Sequence, residues 1–337
     1  MTAATQTYEE KLQTLSEGSV HQHFDPWIDI DWDNPDYAIH HDDPRWVLPK
    51  ADALGRSEWY QALPLERQIE IGLWRQANVT KVGLQFENIL IRGLMEYVMG
   101  LPNGSPEYRY VTHEATEETH HTQMFQEFVN RTGIDVPGGP RYFRALAPFL
   151  PLAARPLSIV FFMGVLAGEE PIDHLQKAIL REGTDGTVMH PLLTRIMQIH
   201  IAEEARHISF AHEYLKRNVP RVGRFQKGVL SVVFPVIMRL LGDAIMVPGK
   251  EMTKQVGVPK KVLQETFWDS PEARAMLSDV FYDVRALAEE LDLMNPVSRR
   301  VWKALKIDGA GARYRSEPVK PSSRKSSDRK PSVRKAA

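Results

Sequence analysis

Residues 196–209 read Ile196-Met-Gln-Ile-His200-Ile-Ala-Glu203-Glu204-Ala-Arg-His207-Ile-Ser209, a run without glycine or proline that predicts a helix. His200, Glu204 and His207 stand at positions i, i+4 and i+7, so their side chains share one face of that helix. The rest of this face is apolar, and burying two imidazoles and a carboxylate there is costly unless a metal compensates for it. Glu204 and His207 also form an E-x-x-H pair, one half of a dinuclear carboxylate site in a four-helix bundle.

A second E-x-x-H pair occurs at Glu118 and His121, again on an apolar stripe. A dinuclear site also takes one carboxylate from each of two further helices. Glu87 and Glu169 meet this requirement, because each lies on an apolar stripe of its own helical pattern. The predicted metal ligands are Glu87, Glu118, His121, Glu169, His200, Glu204 and His207. No catalytic residue is predicted beyond these ligands.

Neighbouring residues offer two alternative registers. Glu117 with His120 is a second E-x-x-H pair, and we prefer Glu118 with His121 because their stripe is the more apolar. Glu169 and Glu170 are harder to separate, because Pro171 is expected to kink the helix and change which side chains face the core. Mixed carboxylate and imidazole ligands favour iron or manganese at such a site.

Helical periodicity covers most of the chain and no alternating strand pattern occurs, which predicts an all-α protein. Four long helices are expected, over about 65–99, 107–132, 155–182 and 189–217. The apolar stretch 229–247 could suggest a membrane span, but Pro235, Arg239 and Asp243 interrupt it. Its uncharged run is shorter than the roughly 20 residues that a span requires. We therefore expect a buried helix that covers a four-helix bundle, with further covering helices near 271–291 and 296–305.

Composition divides the chain into three parts. We expect an irregular N-terminal arm over residues 1–65, a helical domain over 66–310 and a disordered basic tail over 311–337. Nine basic and two acidic residues lie between 313 and 337, a composition that cannot build a core. Such a tail is a candidate for contact with anionic surfaces, although a purely solubilising role is the simpler interpretation.

Several function classes are excluded by residues that the chain lacks. It has no cysteine, which excludes disulfides, thiolate metal sites and iron–sulfur clusters. No G-x-G-x-x-G fingerprint for a dinucleotide occurs. The net charge is −1 and no signal peptide is recognisable, so we expect a cytoplasmic protein without a specific nucleic-acid partner.

The ordered set of ligands over about residues 65–215 resembles the ferritin-like di-iron proteins. His200, one turn before the second E-x-x-H pair, narrows the resemblance to the di-iron N-oxygenase family typified by p-aminobenzoate N-oxygenase. This resemblance implies a ferritin-like bundle, two Fe ions held by all seven ligand positions, and O2 as co-substrate. It also implies an external electron donor, supplied by an unidentified reductase, and a small-molecule substrate. The implied reaction is N-oxygenation of an (aryl)amine to a hydroxylamine or nitro product.

Other di-iron functions share much of this pattern. A di-iron hydroxylase or desaturase would oxidise C–H bonds, and a ferroxidase or iron-binding ferritin-like protein would have no organic substrate. A radical-generating subunit usually keeps a tyrosine one turn after the first E-x-x-H pair, where this chain has Phe125. The oligomeric state is not fixed by the sequence, and a homodimer is one candidate.

Overall fold

The computed structural model describes residues 6–184 and 189–309. Within these ranges the chain is helical and forms no β-strand. The α-helices are α1 (Tyr8–His21), α2 (Glu58–Gln61), α3 (Leu65–Val98), α4 (Glu107–Thr132), α5 (Arg141–Leu146), α6 (Ser158–Thr184), α7 (Pro191–Asn218), α8 (Arg224–Met246), α9 (Lys250–Gln255), α10 (Lys260–Gln264), α11 (Pro271–Val280), α12 (Tyr282–Glu290) and α13 (Pro296–Ala304). Short 3₁₀ turns occur at Pro35–Tyr37, Pro44–Trp46, Leu150–Ala153 and Val219–Arg221, and Glu265–Asp269 forms one π-helical turn.

The four longest helices form a bundle in which α3 packs against α4 and α6 packs against α7. Their buried stripes include residues that the helical periodicity indicated, with Leu94 of α3, Val111 of α4, Leu166 of α6 and Ala211 of α7 fully buried. The all-α, ferritin-like bundle predicted from the sequence is therefore confirmed.

The N-terminal arm differs from the irregular segment that we expected over residues 1–65, because Tyr8–His21 form the helix α1. A capping box starts this helix: the Thr7 side chain accepts from the Glu10 backbone N–H, and Glu10 accepts from the Thr7 N–H. Leu12 and Leu15 are buried on the side of α1 that packs against α4 and α7. The polar composition of this segment did not suggest a helix. One capping box and two buried leucines are nevertheless enough to stabilise one.

Helix α8 covers the bundle by packing along α6. The segment Arg224–Gln255 is long and apolar enough to cross a membrane, but more than half of its most apolar window is buried inside the protein. Phe234 and Met238 are fully buried, as expected of a helix that closes a core. Helices α11 to α13 complete this cover, and the predicted basic tail over 311–337 lies outside the described residues.

Candidate metal centre

The bundle brings all seven predicted ligands together in its interior. Their ligand atoms form two groups, each with all atoms within 4.8 Å of one another. The groups are Glu87, His121, His200 and Glu204, and Glu118, Glu169, Glu204 and His207. Glu204 belongs to both groups, which is the arrangement expected of a carboxylate that bridges two metal ions. Every member of both groups is buried.

Each bundle helix supplies part of the centre. Helix α3 carries Glu87 and α6 carries Glu169, while α4 and α7 carry the two E-x-x-H pairs. The Nε2 atom of His200 lies 3.3 Å from Glu87 Oε1 and 3.2 Å from Glu204 Oε1. His207 Nδ1 lies 2.7 Å from Glu118 Oε1. The imidazole and carboxylate atoms therefore converge from all four helices on one small volume.

The donor atoms of this volume fit divalent metal ions. Both carboxylate oxygens of Glu169, and both of Glu204, are buried without a hydrogen-bond donor among the described residues. Such atoms are expensive to bury unless a cation or donor reaches them. Together with Glu87 and Glu118 they make four carboxylates, which would balance the charge of two divalent ions while the three imidazoles stay neutral. The set of oxygen and imidazole nitrogen donors suits iron.

Two glutamates outside the ligand set hold the histidines of the E-x-x-H pairs in a reciprocal way. Glu117 of α4 pairs with His207 of α7, with 2.7 Å between Oε2 and Nε2. Glu203 of α7 pairs with His121 of α4, with 2.8 Å between Oε2 and Nε2. In each ring the Nε2–H donates to the carboxylate, and Nδ1 faces the metal volume, where it lies 3.1 Å from Glu118 Oε2 in His121 and 2.7 Å from Glu118 Oε1 in His207. A carboxylate on the far ring nitrogen fixes the tautomer and orientation of a metal-binding histidine.

His200 is held in the opposite tautomer by an amide. Its Nδ1 lies 2.9 Å from Gln176 Oε1, so the Nδ1–H donates to Gln176 of α6. The Nε2 atom, directed at Glu87 and Glu204, is then the atom that keeps a lone pair. Burial also lowers the pKa of His200 to about 4, so the ring is neutral near pH 7. A neutral imidazole with an aimed lone pair is what a metal ligand requires.

The residues of the alternative registers lie outside the two groups of ligand atoms. Glu117 contacts His207 instead of joining either group, and His120 also belongs to neither. Glu170 pairs with His212 of α7, with 2.9 Å between Oε1 and Nε2, and joins neither group. The more apolar stripe thus selected Glu118 over Glu117, and Glu118 is the one that joins a group of ligand atoms.

The buried carboxylates and imidazoles of the centre shift one another's pKa values. Burial raises the pKa of Glu87 and of Glu169 well above the usual range, and the neighbouring carboxylates add to this effect. Burial opposes ionisation of Glu118 as well, yet His207 and His121 hold the pKa of that carboxyl well below its usual range. Burial alone would lower the pKa of His121, but Glu118 and Glu203 outweigh it and raise the pKa to about 10. Metal ions would take the place of the protons that these groups share.

Glu114 is a buried carboxyl that the sequence analysis missed. It lies one turn before Glu118 on the same face of α4, is fully buried, and accepts no hydrogen bond among the described residues. Burial raises the pKa of Glu114 to about 8, so it is mostly protonated at neutral pH. Its position four residues before a ligand was the available signal. It joins neither group of ligand atoms.

The N-terminal arm closes the outer side of the centre. The backbone N–H of Phe24 donates to Glu203 Oε1 at 3.0 Å. Arg206 donates from Nη2 to Glu117 Oε1 at 2.8 Å and to the carbonyl of Gln22 at 2.9 Å. Both glutamates that orient the histidines are therefore tied to residues 22–24. The arm is part of the site, although the sequence resemblance did not require it.

A cavity of about 420 Å³ opens onto the centre from the side of α5, α6 and α8. Glu87, Glu169 and His200 lie in its wall. Among the described residues that line it, these three and Tyr142 are polar, and the others are aliphatic, aromatic or glycine. The volume falls within the usual range for small-molecule sites. The centre therefore has an apolar approach on one side and a hydrogen-bonded, closed side on the other.

Comparison with known proteins shows the family to which the chain belongs. The family model described as p-aminobenzoate N-oxygenase AurF matches residues 5–292. An uncharacterized protein of Mycobacterium bovis and an uncharacterized protein of Mycobacterium tuberculosis are each 58% identical to this chain over 311 residues. These matches cover 92% of this chain and 91% of each relative. The chain belongs to the p-aminobenzoate N-oxygenase (AurF) family of di-iron proteins, as its ligand pattern indicated.

Proposed function

We propose that this member of the AurF family is a non-haem di-iron oxygenase that N-oxygenates an arylamine. In this proposal Glu87, Glu118, His121, Glu169, His200, Glu204 and His207 hold two Fe ions. The observation that carries it is the pair of four-residue groups that share Glu204 in the bundle interior. Family membership supports the di-iron oxygenase class, and N-oxygenation to a hydroxylamine or nitro product is the finer part of the proposal.

The protein contributes orientation and exclusion of water. Glu117, Glu203 and Gln176 each accept the far N–H of one histidine, so three ring nitrogens are already aimed at the metal volume, and metal binding would displace the protons that two of them carry. When bound, two Fe(II) ions would supply the electrons for reducing O2, with an external reductase restoring them. The cavity delivers the substrate to the edge formed by Glu87, Glu169 and His200.

The cavity favours an oxygenase over a ferroxidase. Iron storage needs a path for hydrated cations, whereas this approach is walled by apolar side chains. Phe125, with its ring 5.1 Å from the ring of His200, also takes the place where a radical-generating subunit has a tyrosine. Both observations favour oxidation of an organic molecule. Because the wall offers few groups that could bind an amine, C–H hydroxylation or desaturation is the second candidate reaction.

The proposal is tested by loading the purified protein with Fe(II) without oxygen and then admitting O2 with a panel of arylamines and alkylbenzenes. Product analysis by mass spectrometry should show an arylhydroxylamine or nitroarene formed in proportion to the O2 consumed. If the products are oxidised only at carbon, the second candidate, C–H hydroxylation or desaturation, is the reaction and N-oxygenation is rejected. Oxidation of Fe(II) with no change in any organic compound would contradict oxygenase function and favour a ferroxidase.

A further inference from the structure

We infer that the cavity beside the metal centre takes an uncharged, apolar small molecule and excludes arylamines that carry a carboxylate. The inference rests on the proposed function for its assignment of the cavity to a substrate. It goes further by naming the chemical class that the cavity accepts. That class follows from the side chains along the cavity and at its entrance.

The wall of the cavity has no group that could neutralise an anion. Phe86 of α3 and Phe143 of α5 stack with ring centroids 4.6 Å apart, and Phe161 and Val165 of α6 continue the surface. Neither lysine nor arginine is among the lining residues that the structure describes. A carboxylate entering this space would lose its water and gain no cationic partner, which is strongly unfavourable. An apolar group entering the same space is favoured, because its surface leaves water.

The inner end of the cavity adds to this selection. Glu87 and Glu169 border it there, and both are nearly fully buried. Their charge is already needed to balance the proposed cations, so no excess positive charge is left to attract an anion. The end that holds the reactive centre therefore gives a carboxylate no compensating attraction.

The entrance is apolar as well. Tyr142 and Leu146 of α5 are 51% and 53% exposed, and Leu240 of α8 is 54% exposed. All three line the same cavity. Large apolar side chains held in water at a cavity entrance provide a path along which an apolar molecule can leave solvent gradually.

A second, larger cleft is lined by basic side chains. It measures about 760 Å³ on the outer side of α3 and α4, and Lys81, Arg92 and Arg144 line it. None of the seven proposed ligands borders this cleft. The polar cleft is thus separate from the centre, and the apolar cavity is the one that reaches it.

The test measures binding without turnover. The iron-loaded protein is titrated under argon with 1-aminoanthracene, an uncharged arylamine whose fluorescence rises in apolar surroundings. Aniline, 4-ethylaniline, 4-butylaniline and 4-aminobenzoate then compete for the probe. Each added methylene should tighten binding about three- to fourfold until the cavity is filled. We expect 4-aminobenzoate to bind at least a hundredfold more weakly than 4-butylaniline.

Two variants test whether 1-aminoanthracene binds in this cavity. Gly164 lies in the wall, and a Cβ added there would meet only Leu241 Cδ1, at 3.9 Å, so there is room to start a side chain at this position and Gly164→Leu fills part of the cavity. Ile237→Trp fills the same space from α8. Gly228→Leu is the matched control, because it adds the same side chain to an exposed position of α8 with nothing within 4 Å. Both fillers should weaken 1-aminoanthracene at least tenfold, and the control should change it less than twofold.

Each outcome bears on the inference. Equal competition by 4-aminobenzoate and 4-butylaniline, or probe binding unaffected by both fillers in folded, iron-loaded protein, would overturn it. Because binding is measured without O2, the inference can hold while oxygenation fails, and the reverse is equally visible. N-oxygenation of 4-aminobenzoate by a protein that does not bind the uncharged series would keep the proposed function and reject this substrate class.

Discussion

At the scale of single residues, Glu204 and His200 have unequal roles in the proposed centre. Glu204 belongs to both groups of ligand atoms, whereas His200 belongs to one. We expect Glu204→Ala to lose most of the bound iron, because both metal positions lose a carboxylate. His200→Ala should keep most of the iron, since four carboxylates and two histidines remain, but should change the rate at which O2 oxidises it.

Metal analysis and stopped-flow oxidation of the two variants check this difference. Circular dichroism controls for folding. If His200→Ala matched the parent protein in both iron content and oxidation rate, His200 would not be a ligand. If Glu204→Ala kept the full iron content, Glu204 would not be a ligand of both metal positions.

Gln176 is the residue on which the orientation of His200 depends. Gln176→Leu removes the acceptor of the His200 Nδ1–H and leaves the ring free to turn or change tautomer. Loss of such an outer partner typically costs about 10–100-fold in metal affinity or activity. Fe(II) affinity and the rate of O2 uptake are the measurements, and Gln176→Glu should restore both because it keeps an acceptor oxygen.

Gln126→Leu is the matched control for Gln176→Leu. Gln126 is a half-buried glutamine that contacts Lys81 and Asn130, away from the centre. An equal loss in this control, or no loss in Gln176→Leu, would contradict the positioning role.

At the scale of secondary-structure elements, Arg206 of α7 connects the N-terminal arm with α4. Arg206 is 11% exposed and joins the carbonyl of Gln22 to Glu117. Arg206→Met should lower the free energy of unfolding by about 1–3 kcal/mol, because it leaves Glu117 buried with one partner fewer. Denaturant unfolding of the protein measures the change.

An exposed ion pair between the same elements gives the control. Arg109 of α4 lies 3.1 Å from Glu17 of α1, and both side chains are about half exposed. Arg109→Met should cost less than about 1 kcal/mol, as exposed pairs usually do. Equal costs for the two variants would mean that the arm is not anchored through the glutamates of the centre.

At the scale of the whole molecule, the four buried carboxylates should make stability depend on metal. Binding to the folded state alone stabilises it by about 2.7 kcal/mol when free ligand is a hundred times its Kd. Calorimetry without oxygen should therefore show a Tm that rises with the Fe(II) concentration. Glu204→Ala should weaken this dependence, and a Tm that did not respond to Fe(II) in the parent protein would contradict a buried metal site.

The sequence predicted the bundle and the converging side chains because both depend on helical periodicity. The stripe around Glu118 was more apolar than that around Glu117, and this difference selected the glutamate that lies in the metal volume. The doublets Glu117-Glu118 and Glu203-Glu204 contained the reciprocal partners of the histidines, but periodicity does not state which helix a neighbouring side chain will contact. Gln176 and the Phe24 N–H were out of reach for the same reason, since both depend on how separate segments pack.

The cavity was also beyond the sequence. Most of its wall comes from α3, α5, α6 and α8 and the turn Leu150–Ala153, and the apolar residues that each segment contributes are of the kind that build a core. Whether apolar side chains fill the space between helices or leave it open depends on the packing of all the segments together.

The number of irons bound per chain tests the central claim most directly. Purified protein is reconstituted with Fe(II) under argon, freed of excess metal, and analysed for iron and zinc against protein concentration. Two groups of ligand atoms sharing Glu204 predict two irons per chain. A value near one, or zinc held in preference to iron without reaction towards O2, would contradict the di-iron centre on which the proposed function depends.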